Sequence, residues 1–181
     1  PVTSASPEAL DPVFITELDR YLFGEGRDYK IYEKMGAHPA TLRGKKGMHF
    51  AVWAPHAKAV SIVCDRNGWD VEANYMLPLE TSGIYEGFIE GMGFGEIYKF
   101  AIHTQRGDVL YKADPYAFSA EFRPGTASMT ADLSGYGWGD QSWMSTRAKT
   151  PTFAQPMAIY ECHLGSWRKK NREEKNGFYT Y

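Results

Sequence analysis

Three side chains have types and positions suited to holding a neutral, polyhydroxylated ligand: Trp69, Lys99 and Tyr111. Trp69 stands on the far side of the turn pair Asn67-Gly68, where a ring is presented at the surface. Lys99 is out of phase with Tyr98, Phe100 and Ile102, so it faces away from the core those residues build. Tyr111 lies shortly before the break at Asp114-Pro115. Together they offer an aromatic platform and a cationic donor. Flat apolar rings stack on pyranose faces, and an ammonium group hydrogen-bonds hydroxyls. Such a site is shallow, binds weakly and breaks no bond. The competing reading makes Trp69 and Tyr111 packing residues at an interface between domains, a common place for aromatics.

The other reactive side chains are scattered. Asp65 and Asp70 lack partners at metal-ligand spacing, so no metal is proposed, and no cofactor is implied. His38 precedes Pro39 and is expected in a turn, as a hydrogen-bonded loop residue. Cys64 and Cys162 lie in apolar runs far apart and are expected as buried, reduced thiols of a cytoplasmic protein. The formal net charge is −2 with no long run of one sign, and the basic cluster Arg168-Lys169-Lys170 is followed by Glu173 and Glu174. That pattern carries no footprint for DNA or RNA. There is no signal peptide and no apolar run near the length of a membrane span, so a soluble chain is expected.

Elements able to position the three side chains follow from the patterning. Aromatics make up 15% of the 181 residues, and 18 glycines and 10 prolines supply turns, which suits a β-rich fold. Asp11-Pro12 is expected to open a helix with Val13, Phe14, Leu18, Tyr21 and Leu22 on its apolar face, ending at Gly24 and Gly26. A short helical segment over Asp28 to Met35 and a turn at Gly36-Ala-His-Pro39 follow. Strands are expected at Met48 to Trp53, Ala59 to Cys64, Ile84 to Ile89, Glu96 to His103 and Val109 to Tyr111, with an edge segment at Tyr75 to Leu79. Phe50, Val52, Trp53, Val60 and Ile62 are read as core. Strands at this spacing, without a long helix, indicate a small all-β antiparallel sandwich. Residues 120–139 read as irregular, and Pro151 to Pro156 as a linker. Met157 to His163 is a fresh apolar strand without visible partners, so the chain looks cut just after a new domain begins.

Several motifs resemble one family when taken in order. They are Gly36-Ala-His-Pro39, Phe50-Ala-Val-Trp-Ala-Pro55, Val60-Ser-Ile-Val63, Asn67-Gly-Trp-Asp70, Tyr98-Lys99, Lys112-Ala-Asp-Pro-Tyr-Ala117, Arg123-Pro-Gly-Thr-Ala-Ser128 and Ile159-Tyr-Glu-Cys-His-Leu-Gly-Ser-Trp167. Together they look like the N-terminal part of a bacterial 1,4-α-glucan (glycogen) branching enzyme, over residues 11–181. Cys64 and Arg66 depart from it, standing where the family often has Gly and Phe.

The resemblance implies an immunoglobulin-like, early-set β-sandwich with short N-terminal helices, followed by the first strand of a truncated (β/α)8 barrel. Its divisions would be 1–36 as a helical lead-in, 37–120 as the sandwich, 121–156 as a linker and 157–181 as the start of the barrel. His163 and Trp167 would sit at that barrel's inner rim. It implies α-glucan (glycogen or maltooligosaccharides) as ligand, with Trp69 and Tyr111 stacking on glucose and Lys99 donating to hydroxyls. It also implies the missing catalytic barrel as partner. The family's retaining transfer needs carboxylates on later barrel strands, which are absent here, so these residues alone should be inactive. Two alternatives remain open: an interdomain brace without sugar affinity, and a regulatory glycogen-targeting module.

Overall fold

A computed structural model describes residues 14–154 and 156–170. Nine strands lie in the first of two compact units, which ends at Gly135. They are β1 (Gly36–Leu42), β2 (Lys45–Trp53), β3 (Ala59–Cys64), β4 (Leu77–Pro78), β5 (Ile84–Glu90), β6 (Ile97–His103), β7 (Val109–Lys112), β8 (Ser119–Ala120) and β9 (Ser128–Met129). One sheet has the order β1-β2-β5-β4. The other runs β3-β6-β9-β8, with β7 also paired to β6. All pairings are antiparallel.

Alternation along the strands builds the core between the sheets. Met48, Phe50 and Val52 of β2 face Val60 and Ile62 of β3 and Tyr98 and Phe100 of β6. Phe50 sits at the centre, edge-on to Tyr98 with ring centroids 4.9 Å apart and to Phe100 at 6.5 Å. The β1–β2 hairpin closes through Arg43 and Gly44, both with positive φ (50° and 79°), between the paired residues Leu42 and Lys45. A two-residue turn of that hand matches the twist of the strands.

The outer face of the first sheet is covered by the N-terminal segment. Ile15, Ile31 and Met35 pack there on Ala51, Leu79 and Ile84. Helix α1 (Glu17–Gly24) begins at Thr16, whose hydroxyl accepts the Asp19 amide at 3.3 Å while Asp19 Oδ2 accepts the Thr16 amide at 2.8 Å. Burial works against the Asp19 carboxylate, but Lys34 and Thr16 donate to it and hold it below its ordinary range. This reciprocal cap makes Thr16→Ala cost about 1 kcal/mol, read as a lowered midpoint in thermal unfolding.

Several expectations need correction. The helix starts at Glu17, not Pro12, and Asp11, Pro12 and Val13 lie outside the described residues. Its expected apolar face is split: Leu18 and Tyr21 are 64% and 59% exposed, Phe14 and Leu22 are half-buried with Phe14 against His49, and Ile15 ahead of the helix makes the fully buried contact. Gly36 to Pro39 is not a turn but the start of β1, and Pro39 is tolerated because β1 is an edge strand. Trp53 is 53% exposed, since alternation sends it to the face opposite Val52, where it lies edge-on to Phe23 at 6.0 Å. The second sheet also runs past residue 120, because β9 pairs Ser128 with Tyr98 and Met129 with Ile97.

The second compact unit begins at Tyr136 and contains α2 (Gln141–Lys149) and α3 (Leu164–Trp167). Met157 to His163, expected as a strand, forms none. A strand of that composition requires neighbours on both sides to satisfy its backbone, and none pairs with it among the described residues. Cys162, expected buried, is therefore exposed, whereas Cys64 is buried in the sandwich core. Among the described residues, no helix is long and apolar enough to cross a membrane.

Candidate functional site

The outer face of the second sheet brings together two of the three predicted side chains, Lys99 and Tyr111. In the register of β6, Lys99 pairs with Val63 of β3 and Ala101 with Tyr111 of β7. Lys99, Ala101 and Tyr111 therefore share the face opposite Phe100 and Tyr98. Tyr111 is 52% exposed there. Lys99 stands where one edge of β6 changes partner, since β7 ends against Phe100 and β9 begins against Tyr98. At that break its ammonium donates to Thr126 Oγ1 at 2.6 Å.

Trp69 stands in the loop after β3. Its amide donates to Cys64 O at 3.0 Å, one residue beyond the Val63–Lys99 pair. Gly68 and Trp69 both take the left-handed conformation, with φ of 62° and 61°. For tryptophan that is strained backbone of the kind that gathers at binding sites. The indole Nε1–H is committed to Asp65 Oδ1 at 2.7 Å, which fixes the ring's orientation. The ring is half-buried.

Side chains that the sequence reading passed over hold this loop. Asn67, read only as a turn residue, accepts the Cys64 amide at 3.0 Å and donates to Ile62 O at 2.7 Å and Asn74 Oδ1 at 2.8 Å. Arg66, a departure from the family pattern, grips Glu96 through Nε at 2.5 Å and Nη2 at 2.8 Å. That guanidinium holds the Glu96 carboxyl below its ordinary range. Farther along, Ser61 Oγ donates to Val71 O at 2.6 Å, and Tyr75 Oη donates to Glu72 at 2.8 Å. Burial and Glu72 push the Tyr75 hydroxyl up to about 12. Thr126 and Ser61 had a signal in sequence only as members of motifs, because neither residue type advertises a role by itself.

Beside the site, Asp114 ties three elements together. It is buried and accepts Tyr98 Oη at 2.5 Å and the Tyr116 amide at 2.8 Å, while its own amide donates to Ser128 Oγ at 2.7 Å. A Cβ added at Gly36 (φ +94°) would meet Tyr116 at 3.1 Å and Asp114 Oδ2 at 3.3 Å. The motifs around Gly36 and Asp114 are thus two sides of one contact. His38 is a strand residue, its Nε2 2.9 Å from Met35 O and its ring edge-on to Phe118. Among the described residues no cluster of three or more His, Cys, Asp or Glu could hold a metal ion.

Residues 34–117 match the family described as carbohydrate-binding module 48 (isoamylase N-terminal domain), a span that contains Trp69, Lys99 and Tyr111. The chain is 53% identical over 169 residues to the 1,4-alpha-glucan branching enzyme GlgB of Butyrivibrio fibrisolvens, covering 93% of this chain and 26% of that protein. It is 50% identical over 160 residues to the enzyme of that name from Synechococcus sp. (strain JA-2-3B'a(2-13)), covering 88% and 21%. For that of Protochlamydia amoebophila (strain UWE25) the figures are 49% over 165 residues, 91% and 23%. The chain thus spans about a quarter of the length of these relatives. It is a homologue of the 1,4-alpha-glucan branching enzymes that corresponds to their N-terminal region, with a β-sandwich of the module 48 type over residues 34–117.

Proposed function

We propose that this chain is the glucan-holding N-terminal region of a cytoplasmic 1,4-α-glucan branching enzyme, the enzyme that moves α-1,4 chains to form α-1,6 branches in glycogen. The match of residues 34–117 to a carbohydrate-binding module carries this reading, because that span includes Trp69, Lys99 and Tyr111. Trp69 and Tyr111 stack on glucose rings, and Lys99 donates to sugar hydroxyls from the floor between them. The site holds a glucan chain and leaves its bonds intact. Met157 to Trp167 belong with the catalytic barrel of the whole enzyme, which covers the apolar side chains exposed here, Met157, Ile159, Tyr160, Leu164 and Trp167. Transfer then proceeds by double displacement on carboxylates of that barrel, so the 181 residues alone give no branching.

Retardation of the chain in gels cast with glycogen tests the reading. The wild-type chain is slowed, and Lys99→Ala weakens the interaction about three- to tenfold, the worth of one charge-assisted hydrogen bond shared with Thr126. A wild-type chain that runs as fast with glycogen as without it refutes sugar binding and leaves an interdomain brace.

A further inference from the structure

The loop that presents Trp69 is clamped from the sheet beneath it by two side chains with no part in the ligand contact above. Ser61 of β3 and His103 of β6 project from the same outer face as Lys99, since Ser61 pairs with Ala101 and Ala59 with His103. Both converge on one backbone atom of the loop. Ser61 Oγ lies 2.6 Å from Val71 O, and His103 Nε2 lies 3.2 Å from Val71 O and 3.2 Å from Ser61 Oγ. A carbonyl only accepts, so the histidine must carry its hydrogen on Nε2. The serine hydroxyl then donates to Val71 and accepts from His103, which completes a closed triangle. Ser61 is fully buried, and the Tyr75 ring leans on the imidazole with centroids 5.2 Å apart.

The loop is also tied along β3, by Ile62 N to Asn74 O at 3.1 Å, by a bridge between Ser61 and Tyr75, and by Asn67 to Ile62 O, but among these ties the Val71 contact is the one that reaches β6 through His103. Its two ends are held at β3, by Trp69 N to Cys64 O at 3.0 Å and by Met76 N to Val60 O at 2.8 Å. Between them the chain must arch over β3, and Val71 is where it touches down on β6. The strained backbone at Gly68-Trp69 lies two residues before that point. The indole is held from one side by Asp65 Oδ1, and the backbone that carries it is held two residues on by the Val71 contact.

We propose that Ser61 and His103 are positioning residues for glucan binding, which clamp the Val71 carbonyl and thereby hold Trp69 in its binding orientation. This inference rests on the glucan-binding reading above. His103 touches no sugar; it acts through Val71 and Trp69.

The test uses the full 181-residue chain and four proteins: wild type, His103→Leu, His103→Gln and His103→Phe. Maltoheptaose affinity is measured by NMR titration, the Trp69 indole N–H resonance is followed without sugar, and thermal midpoints are compared. His103→Leu is expected to weaken binding about fivefold or more, the worth of one lost hydrogen bond, and to shift the indole resonance before any sugar is added. His103→Gln restores an N–H at nearly the same place and is expected to recover both readouts. His103→Phe keeps the ring against Tyr75 but not the donor, and is expected to behave as His103→Leu. An indole resonance in His103→Leu identical to wild type overturns the clamp. So does recovery by phenylalanine but not by glutamine, since ring packing would then be the cause. Failure of the wild type to bind maltoheptaose refutes the glucan reading instead, and the indole resonance still decides whether His103 positions Trp69.

Discussion

Trp69→Ala lowers the affinity of the chain for maltoheptaose by about 30-fold or more, with the thermal midpoint nearly unchanged. The magnitude is that of a buried aromatic anchor, about 2 kcal/mol or above on truncation. Stability is spared because the ring is no part of the sandwich core, which is built from Phe50, Tyr98, Phe100 and their neighbours. The loop also keeps its other anchors, from Asn67 and from the Arg66–Glu96 pair. A companion substitution separates ring from backbone. Trp69 sits at φ 61°, a conformation free of steric cost only for glycine. Trp69→Gly is therefore expected to match or exceed the wild type in thermal midpoint while binding no better than Trp69→Ala. Gel retardation by glycogen and isothermal titration with maltoheptaose measure the loss. Binding by Trp69→Ala equal to wild type removes the stacking role.

Asp114→Ala, by contrast, costs about 3–5 kcal/mol of stability. The substitution leaves the Tyr98 hydroxyl and the Tyr116 amide without their acceptor, each costing about 1–3 kcal/mol when buried. It also loosens the contact with β1 at Gly36, where the added volume of any side chain is already excluded. Tyr98 is fully buried beside Phe50, so the defect falls in the centre of the core. Asp114→Asn keeps an acceptor and costs less.

The pH response distinguishes the two side chains. Burial lifts the Asp114 carboxyl above its ordinary 3.8, although Tyr98 and Tyr116 pull it the other way. Its native form thus binds a proton more readily than the unfolded chain does. The stability it contributes is complete below pH 3.8 and declines as pH rises through the raised native value. Asp114→Asn lacks that decline, so its deficit relative to wild type narrows over the same window. Urea unfolding across that pH range measures both effects, and a deficit that widens with rising pH contradicts the assignment.

The alternation in Met48 to Trp53 and Tyr98 to His103 was legible as strands, and with it the placement of Phe50, Val52, Tyr98 and Phe100 inside and of Lys99 outside. Period-two patterning needs no tertiary information, because each strand side chain points opposite its neighbour. The same rule, applied strictly, puts Trp53 outside. The N-terminal helix was mislaid for another reason. Its burial depends on Ile15 and Met35 meeting the outer face of the first sheet, a contact between segments that periodicity within one helix does not encode.

From its own residues the sequence determined strands β2, β3, β5, β6 and β7, the turn at Asn67-Gly68, and the presence of two aromatics and a lysine suited to a sugar. Local stereochemistry and alternation suffice for those. Only the tertiary structure decided that β7 and β9 share one edge of β6 and part at Lys99, that Thr126 meets Lys99 there, and that Lys99 and Tyr111 share a face. Only it revealed the loop of Trp69 pinned by Asn67, Ser61 and His103. Those facts depend on which strands pair and in what register, and that is set by long-range packing of the two sheets around Phe50.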